Sequence, residues 1–125
     1  MPSSSLPDPV RRLIADHIDS VPELEAVLLL RDHAEHDWTP SEAGQRLYVS
    51  TTVANHVLAK LAERGFLSKG ESGYRYAASA ELGKAVDQLA AAYAHHLVEV
   101  TRMIHQKPPP SIRQFADAFR FRKDK

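Results

Sequence analysis

Apolar residues recur at helical spacing through most of the chain, and polar breaks divide them into separate segments. Near the N-terminus, Asp8 followed by Pro9 is typical of a helix start, and the apolar face behind it predicts a helix that ends near Ser20. Ser20 and Glu23 have the spacing of a capping box, so a second helix is predicted through Ala34. The pattern therefore predicts two consecutive amphipathic helices.

The strongest helix-start signal of the chain lies at Thr39, Pro40 and Glu42, which supply a cap, a proline at the first helical position and an acid at the third. The helix that starts here is short, and the polar turn 48–50 leads into another helical run that Gly65 ends. The predicted apolar face of that second run consists of Val53, Ala54, Val57, Leu58 and Leu61. Two helices separated by a tight turn are therefore expected.

Beyond Gly65 the pattern changes from helical to strand-like. Phe66 and Leu67 on one side and residues 74–76 on the other flank a glycine-rich turn at residues 69–73, which predicts a two-stranded hairpin. Residues 80–106 then have the apolar stripe of one long helix, which is expected to end at the three consecutive prolines 108–110.

The predicted order of elements is that of a winged helix-turn-helix: helix, short helix, tight turn, helix and two-stranded ribbon. Over residues 20–106 the chain resembles the MarR-like transcriptional regulators: TPSEAGQRL resembles the helix before the turn, VSTTVANHVLAKLAERGFL the recognition helix entering the first wing strand, and GESGYRY the wing tip and second strand. The resemblance implies a mainly α fold with a small β-hairpin wing, flanked by N- and C-terminal helices. It also implies a sequence-specific regulator that binds duplex DNA as a homodimer.

On this basis the chain is divided into four parts. They are an N-terminal arm and helix (1–19), a winged helix-turn-helix domain (20–78), a long C-terminal dimerisation helix (79–107) and a basic amphipathic tail after the proline break (108–125).

A helix that enters the major groove presents short polar side chains and cations on the side opposite its buried face. Residues 50–60 have such a polar side, and the hairpin supplies cations for a neighbouring phosphate backbone or minor groove. The candidate DNA-binding residues are Arg46, Ser50, Thr51, Thr52, Asn55, His56, Lys60, Lys69, Ser72 and Arg75. The first turns of the helix lack arginine, so base recognition is expected to depend on Asn55, His56 and the threonines.

The distribution of charge supports a localised footprint. The 16 Lys and Arg balance the 16 Asp and Glu over the whole chain. Residues 46–75 carry a net +3 and residues 101–125 a net +5, whereas residues 1–45 carry a net −6. Any contact with DNA should therefore be confined to one face, with modest phosphate affinity per subunit that a dimer doubles. An alternative is a winged-helix adaptor that binds another protein and leaves the polar face of residues 50–60 in solvent.

Other functions have weaker signals. His33 and His36, with acids around them, have no third ligand at a definable spacing, so a polar helix end is the favoured explanation and no metal is expected. The chain has no cysteine, no glycine-rich phosphate loop and no G-x-S-x-G motif, so neither enzymatic activity nor a cofactor is expected. No apolar run is long enough to span a membrane and no signal sequence is evident, which favours a cytoplasmic protein.

The stripe on residues 80–106 is expected to form the dimer interface, because a helix of about 27 residues spans about 40 Å, more than one small domain covers. Twofold pairing would bring two recognition helices near successive major grooves, about 34 Å apart. The predicted interface residues are Leu82, Val86, Leu89, Tyr93, Leu97, Val100 and Ile104. A small-molecule pocket lined by the same stripe is the alternative, with no ligand residues identified.

The C-terminal segment 111–125 has the pattern of a short amphipathic helix. Ser111 and Gln114 match a capping box, and Ile112, Phe115 and Phe119 form an apolar stripe. Docking on the chain itself or its dimer mate is favoured, because exposed phenylalanines are costly. The alternatives are a linear motif for another protein and an arm whose cations reach DNA phosphates.

Overall fold

A computed structural model describes the chain from residue 6 to residue 107, and in this range it is mainly α-helical with one antiparallel hairpin. The elements are α1 Asp8–His17, α2 Val21–Asp32, α3 Pro40–Leu47, α4 Thr51–Glu63, β1 Leu67–Gly70, β2 Gly73–Tyr76, α5 Ala80–His95 and α6 Leu97–His105. The tail residues Ile112, Phe115 and Phe119 lie outside the described residues, so their docking remains a prediction.

The corner between α1 and α2 differs in detail from its prediction. Helix α1 begins after Pro7 without a side-chain cap, and it ends at His17 rather than near Ser20. Ser20 caps α2 by accepting a hydrogen bond from the amide of Glu23, but the Glu23 carboxylate accepts from the amide of Asp19 (2.8 Å) instead of returning to Ser20. One of the two bonds of the expected capping box is therefore present. The other is made to the amide of Asp19, one residue before Ser20.

Local signals around α3 and α4 are confirmed. Thr39 and Glu42 form the complete capping box that the sequence predicted. Ser50 caps α4, a role that the sequence analysis did not assign to it. After α4, the amide of Gly65 donates to the carbonyl of Ala62 and the amide of Phe66 to the carbonyl of Leu61, which is the Schellman arrangement. Gly65 has φ of +93°, a value that glycine adopts without strain.

The turn between α3 and α4 is tight because Gly44 has no side chain. A Cβ on Gly44 would lie 2.8 Å from the carbonyl oxygen of Val49, closer than packed atoms approach. The turn also places Tyr48 in the left-handed region at φ 61° and ψ 41°. This conformation costs a non-glycine residue about 1–2 kcal/mol.

Besides the pairing of its two strands, the hairpin pairs with a third backbone segment, which the sequence pattern did not predict. Leu67 pairs with Tyr76, Lys69 with Tyr74 and Gly70 with Gly73, as an antiparallel ribbon. Trp38 then pairs with Tyr74 from the outer side, through reciprocal backbone hydrogen bonds of 2.7 and 2.8 Å. This bridge ties the second strand, close to the turn of the hairpin, to the segment between α2 and α3.

The prediction of one continuous helix over residues 80–106 is wrong. The helix is interrupted at His96, where φ is −135° and ψ is 48°, and α6 begins at the next residue. Helix α6 contacts both α5 and α1, and Val100 and Ile104 on it are buried. A straight helix would carry these apolar residues beyond the domain. The break therefore allows them to pack in the core of their own chain.

Candidate DNA-binding surface

Helix α4 has one buried and one exposed face, as expected of a recognition helix. Ala54, Val57, Leu58 and Leu61 are buried in the core of the chain. The exposed face includes Thr51, Thr52, Asn55 and His56, and Lys60 at its edge is half-buried. The structure thus brings the predicted polar residues of α4 together on one accessible surface.

Val53 does not lie where the sequence predicted. It was assigned to the apolar face of α4, but 43% of its surface is exposed. Successive residues of a helix are about 100° apart, so Val53 lies about a quarter turn from the middle of the buried stripe. Counting this rotation along the helix places Val53 at the edge of the stripe, but whether a neighbouring element covers it depends on the tertiary structure.

The N-terminus of α4 is open toward solvent. The hydroxyl of Ser50 accepts a hydrogen bond from the amide of Val53 (3.1 Å), so its oxygen serves as the helix cap. Just before it, Tyr48 is 93% exposed, and the sequence analysis did not identify it as a site residue. The helix dipole and the remaining free amides make this end suitable for an anion such as a phosphate.

The cations predicted on the hairpin are exposed but have intramolecular contacts. The guanidinium of Arg75 donates to the carboxylate of Asp37 at 2.8 Å, and the ammonium of Lys69 lies 5.7 Å from the ring centre of Tyr74. Ser72 is exposed in the turn between the strands. Arg46, on α3, has its guanidinium 5.5 Å from the ring centre of Trp38. These contacts restrict the positions that the three cationic side chains can adopt. The side chains keep their positive charge.

A part-buried ionic cluster fixes the C-terminal end of α4 to the α1–α2 corner. Arg64 donates to the carbonyl of His17 (2.6 Å), to Oε1 of Glu23 (2.8 Å) and to Oδ2 of Asp19 (2.9 Å). The Nζ of Lys107 approaches the other carboxylate oxygen of Asp19 at 2.8 Å and also donates to the carbonyls of Ile14 and Ile18. The cluster therefore joins α1, α2, the end of α4 and Lys107, two residues beyond α6.

The predicted dimer residues divide into two groups. Val86, Leu89, Val100 and Ile104 are buried in the core of the chain itself, so their side chains are already covered. Leu82 and Tyr93 are half-buried, and Leu97 is exposed together with its neighbour Val98, which the sequence analysis did not select.

Tyr93 and Tyr76 both lie where α5 and the hairpin approach α2. The hydroxyl of Tyr93 donates to Oε2 of Glu25 at 3.2 Å, and burial, followed by the charge of Glu25, raises the pKa of the Tyr93 phenol above its ordinary value. Burial likewise raises the pKa of Tyr76, whose hydroxyl has no hydrogen-bond partner among the described atoms. Arg31 on α2 also donates to Asp87 on α5 at 2.8 Å, so polar contacts connect the two helices.

The histidines weighed as a metal pair have other contacts. The rings of His33 and His36 lie edge-on to Trp38, and His36 is 3.0 Å from the Glu42 carboxylate. Among residues 6–107, no group of three or more potential ligands is placed to hold a metal ion. In the same part of the chain, no helix has both the length and the apolar character that crossing a bilayer requires.

No protein-family model matches the sequence, and no curated protein matches it either. Solved structures do match. The transcriptional regulator MosR of M. tuberculosis is similar over 93% of this chain and 85% of its own, with a TM-score of 0.50 and 19% identity. RV1404 from Mycobacterium tuberculosis is similar over 94% of this chain and 83% of its own, with a TM-score of 0.50 and 15% identity. At these identities the likeness shows the fold, and the chain has a mainly α winged helix-turn-helix fold with a two-stranded wing.

Proposed function

We propose that this protein is a cytoplasmic, MarR-like transcriptional regulator that binds duplex DNA sequence-specifically as a homodimer and has no enzymatic activity. The observation that carries the proposal is the exposed polar face of α4, on which Thr52, Asn55 and His56 lie together beside a hairpin that carries Lys69 and Arg75. Such a helix fits the major groove, where amide and hydroxyl side chains hydrogen-bond to base edges, and the hairpin cations suit phosphates.

Salt dependence offers a quantitative test. Each phosphate neutralised by a cation contributes a slope of about −0.9 to the plot of log affinity against log salt concentration. Arg46, Lys60, Lys69 and Arg75 are the cations on or beside the α4 and hairpin surface, so a slope of about −4 per subunit is expected. A dimer that engages two half-sites should show about twice that value.

The experiment begins with selection of bound duplexes from a random pool, followed by affinity measurements over a range of salt concentrations. Asn55→Ala should weaken binding to the selected site by about 1–3 kcal/mol and leave binding to scrambled DNA unchanged. Lys60→Ala should weaken both duplexes alike and reduce the slope by about 1. Recovery of no preferred sequence, together with a slope near zero, would contradict the proposal.

Dimerisation through the C-terminal helices is supported by the exposed pair Leu97 and Val98 at the start of α6. Two adjacent exposed aliphatic side chains at the break between α5 and α6 provide an apolar patch that a second copy can cover. Leu97→Glu should give a monomer in sedimentation at micromolar concentrations and a halved salt slope. A parent protein that sediments as a monomer would contradict the homodimer.

A winged-helix adaptor that binds another protein is the second candidate. It is favoured by Tyr48 and Val53, which expose large apolar side chains beside the polar face of α4. An adaptor should recover a stoichiometric protein partner and show neither affinity for duplex DNA nor a salt slope.

A further inference from the structure

Val53 lies in the first turns of α4, on the edge of its exposed face. Because residues three and seven positions apart fall on nearly the same side of a helix, Val53 shares a row with His56 and Lys60. A single exposed valine is common on protein surfaces. This valine differs in lying in the N-terminal part of the helix, which is the part of a recognition helix that approaches base edges.

Neither packing nor helix formation accounts for valine at this position. With 43% of its surface exposed, Val53 has much less contact with the core than Ala54 or Val57 beside it. Its β-branched side chain also loses rotamer freedom in a helix, so alanine would favour α4 more. The stiff side chain does, however, hold its methyl groups in a nearly fixed direction away from the helix axis.

In the major groove the C5-methyl group of thymine is the apolar feature by which a side chain can distinguish T·A from other base pairs. We propose that Val53 contacts a thymine methyl group and specifies a T·A pair at one position of each half-site. This inference rests on the proposed function and extends it. Asn55 and His56 then bond to the polar edges of neighbouring bases, and Val53 excludes base pairs that place a polar group at its position.

The test uses the full chain and a duplex obtained by selection. Each thymine of the site is replaced in turn by deoxyuridine, which removes the methyl group and keeps every hydrogen-bonding group. With the parent protein, deoxyuridine at one symmetric pair of positions should lower the affinity about fourfold per half-site, because one methyl group is returned to water. With Val53→Ala, the thymine and deoxyuridine duplexes should bind equally well at that position.

Thr52→Ser is the matched control, because it removes the exposed methyl group of the neighbouring residue and keeps the hydroxyl. It should retain the full sensitivity to deoxyuridine. Thermal unfolding of Val53→Ala should match that of the parent, since the side chain is exposed and alanine favours the helix.

Three results overturn the inference. If the sensitivity to deoxyuridine disappears in Thr52→Ser but persists in Val53→Ala, the methyl contact belongs to the threonine. Specific binding without any deoxyuridine-sensitive position refutes the methyl contact and leaves the proposed function intact. Failure to select any preferred duplex refutes the proposed function and this inference together.

Discussion

Replacing Arg64 with methionine should destabilise the fold far more than replacing Arg75, although both arginines donate to an aspartate at nearly equal distances. The Arg64–Asp19 bond measures 2.9 Å and the Arg75–Asp37 bond 2.8 Å. They differ in burial. The side chains of Asp19 and Glu23 are 10% and 6% exposed, whereas those of Arg75 and Asp37 are 49% and 34% exposed. Methionine keeps most of the apolar stem of arginine and removes only the guanidinium.

Removing one partner from a buried ion pair costs about 3–5 kcal/mol, because the remaining charge is left without compensation in a poorly solvated site. Arg64→Met should lie at the lower end of this range. Glu23 retains its bond from the amide of Asp19, and Asp19 retains Lys107 at 2.8 Å. We therefore expect a loss of about 3 kcal/mol. For the exposed pair, Arg75→Met should cost about 0.5 kcal/mol or less.

Urea unfolding monitored by circular dichroism measures both free energies, and the double variant Arg64→Met/Glu23→Gln measures the coupling between the two partners. If the carboxylate of Glu23 is what remains uncompensated, Glu23→Gln should recover part of the loss caused by Arg64→Met. Equal losses for Arg64→Met and Arg75→Met would refute the reasoning, because burial would then not determine the cost.

Three further predictions, tested by four substitutions, follow from the backbone and the tyrosines. Gly73→Ala should lower the free energy of unfolding by about 3 kcal/mol, because a Cβ at φ +134° would lie 2.4 Å from the carbonyl oxygen of Trp38. Gly70→Ala, whose Cβ would make only an ordinary contact 4.0 Å from the carbonyl oxygen of Gly73, should cost less than about 1 kcal/mol, and equal losses would contradict this account of the hairpin. Tyr48→Gly should raise the melting temperature, since relief of the left-handed conformation exceeds the added chain entropy by about 0.5 kcal/mol; a lower melting temperature would mean that the exposed ring stabilises the fold. Tyr76→Phe should raise the free energy of unfolding at pH 7 by about 1 kcal/mol, because it removes a buried hydroxyl that has no hydrogen-bond partner among the described atoms, and it should reduce the loss of stability in alkali. The raised pKa of Tyr76 gives stability that is present below about pH 10 and is lost as the pH rises through the folded-state value, so an unchanged alkaline slope would contradict the shift.

The sequence alone was sufficient for the order of the elements from α1 to the start of α5, and for most helix ends in the helix-turn-helix. Thr39 with Glu42 at the start of α3, and Gly65 with the last carbonyls of α4, act within three or four residues of each other. Such interactions depend on contiguous residues, and a sequence pattern contains all the information they require. The polar face of α4 was predictable for the same reason, because helical spacing is a local property.

The tertiary structure decided the features that join distant parts of the chain. Trp38 pairs with Tyr74, Arg64 bonds to Glu23 across 41 positions, and Lys107 reaches the carbonyl of Ile14 across 93. The interruption at His96 has no glycine or proline to announce it, and it depends on whether Val100 and Ile104 can be buried by the same chain. The exposure of Val53 likewise depends on how far the packed surface extends around α4, since helical spacing places a residue at the edge of a stripe but does not say whether a neighbouring element covers it.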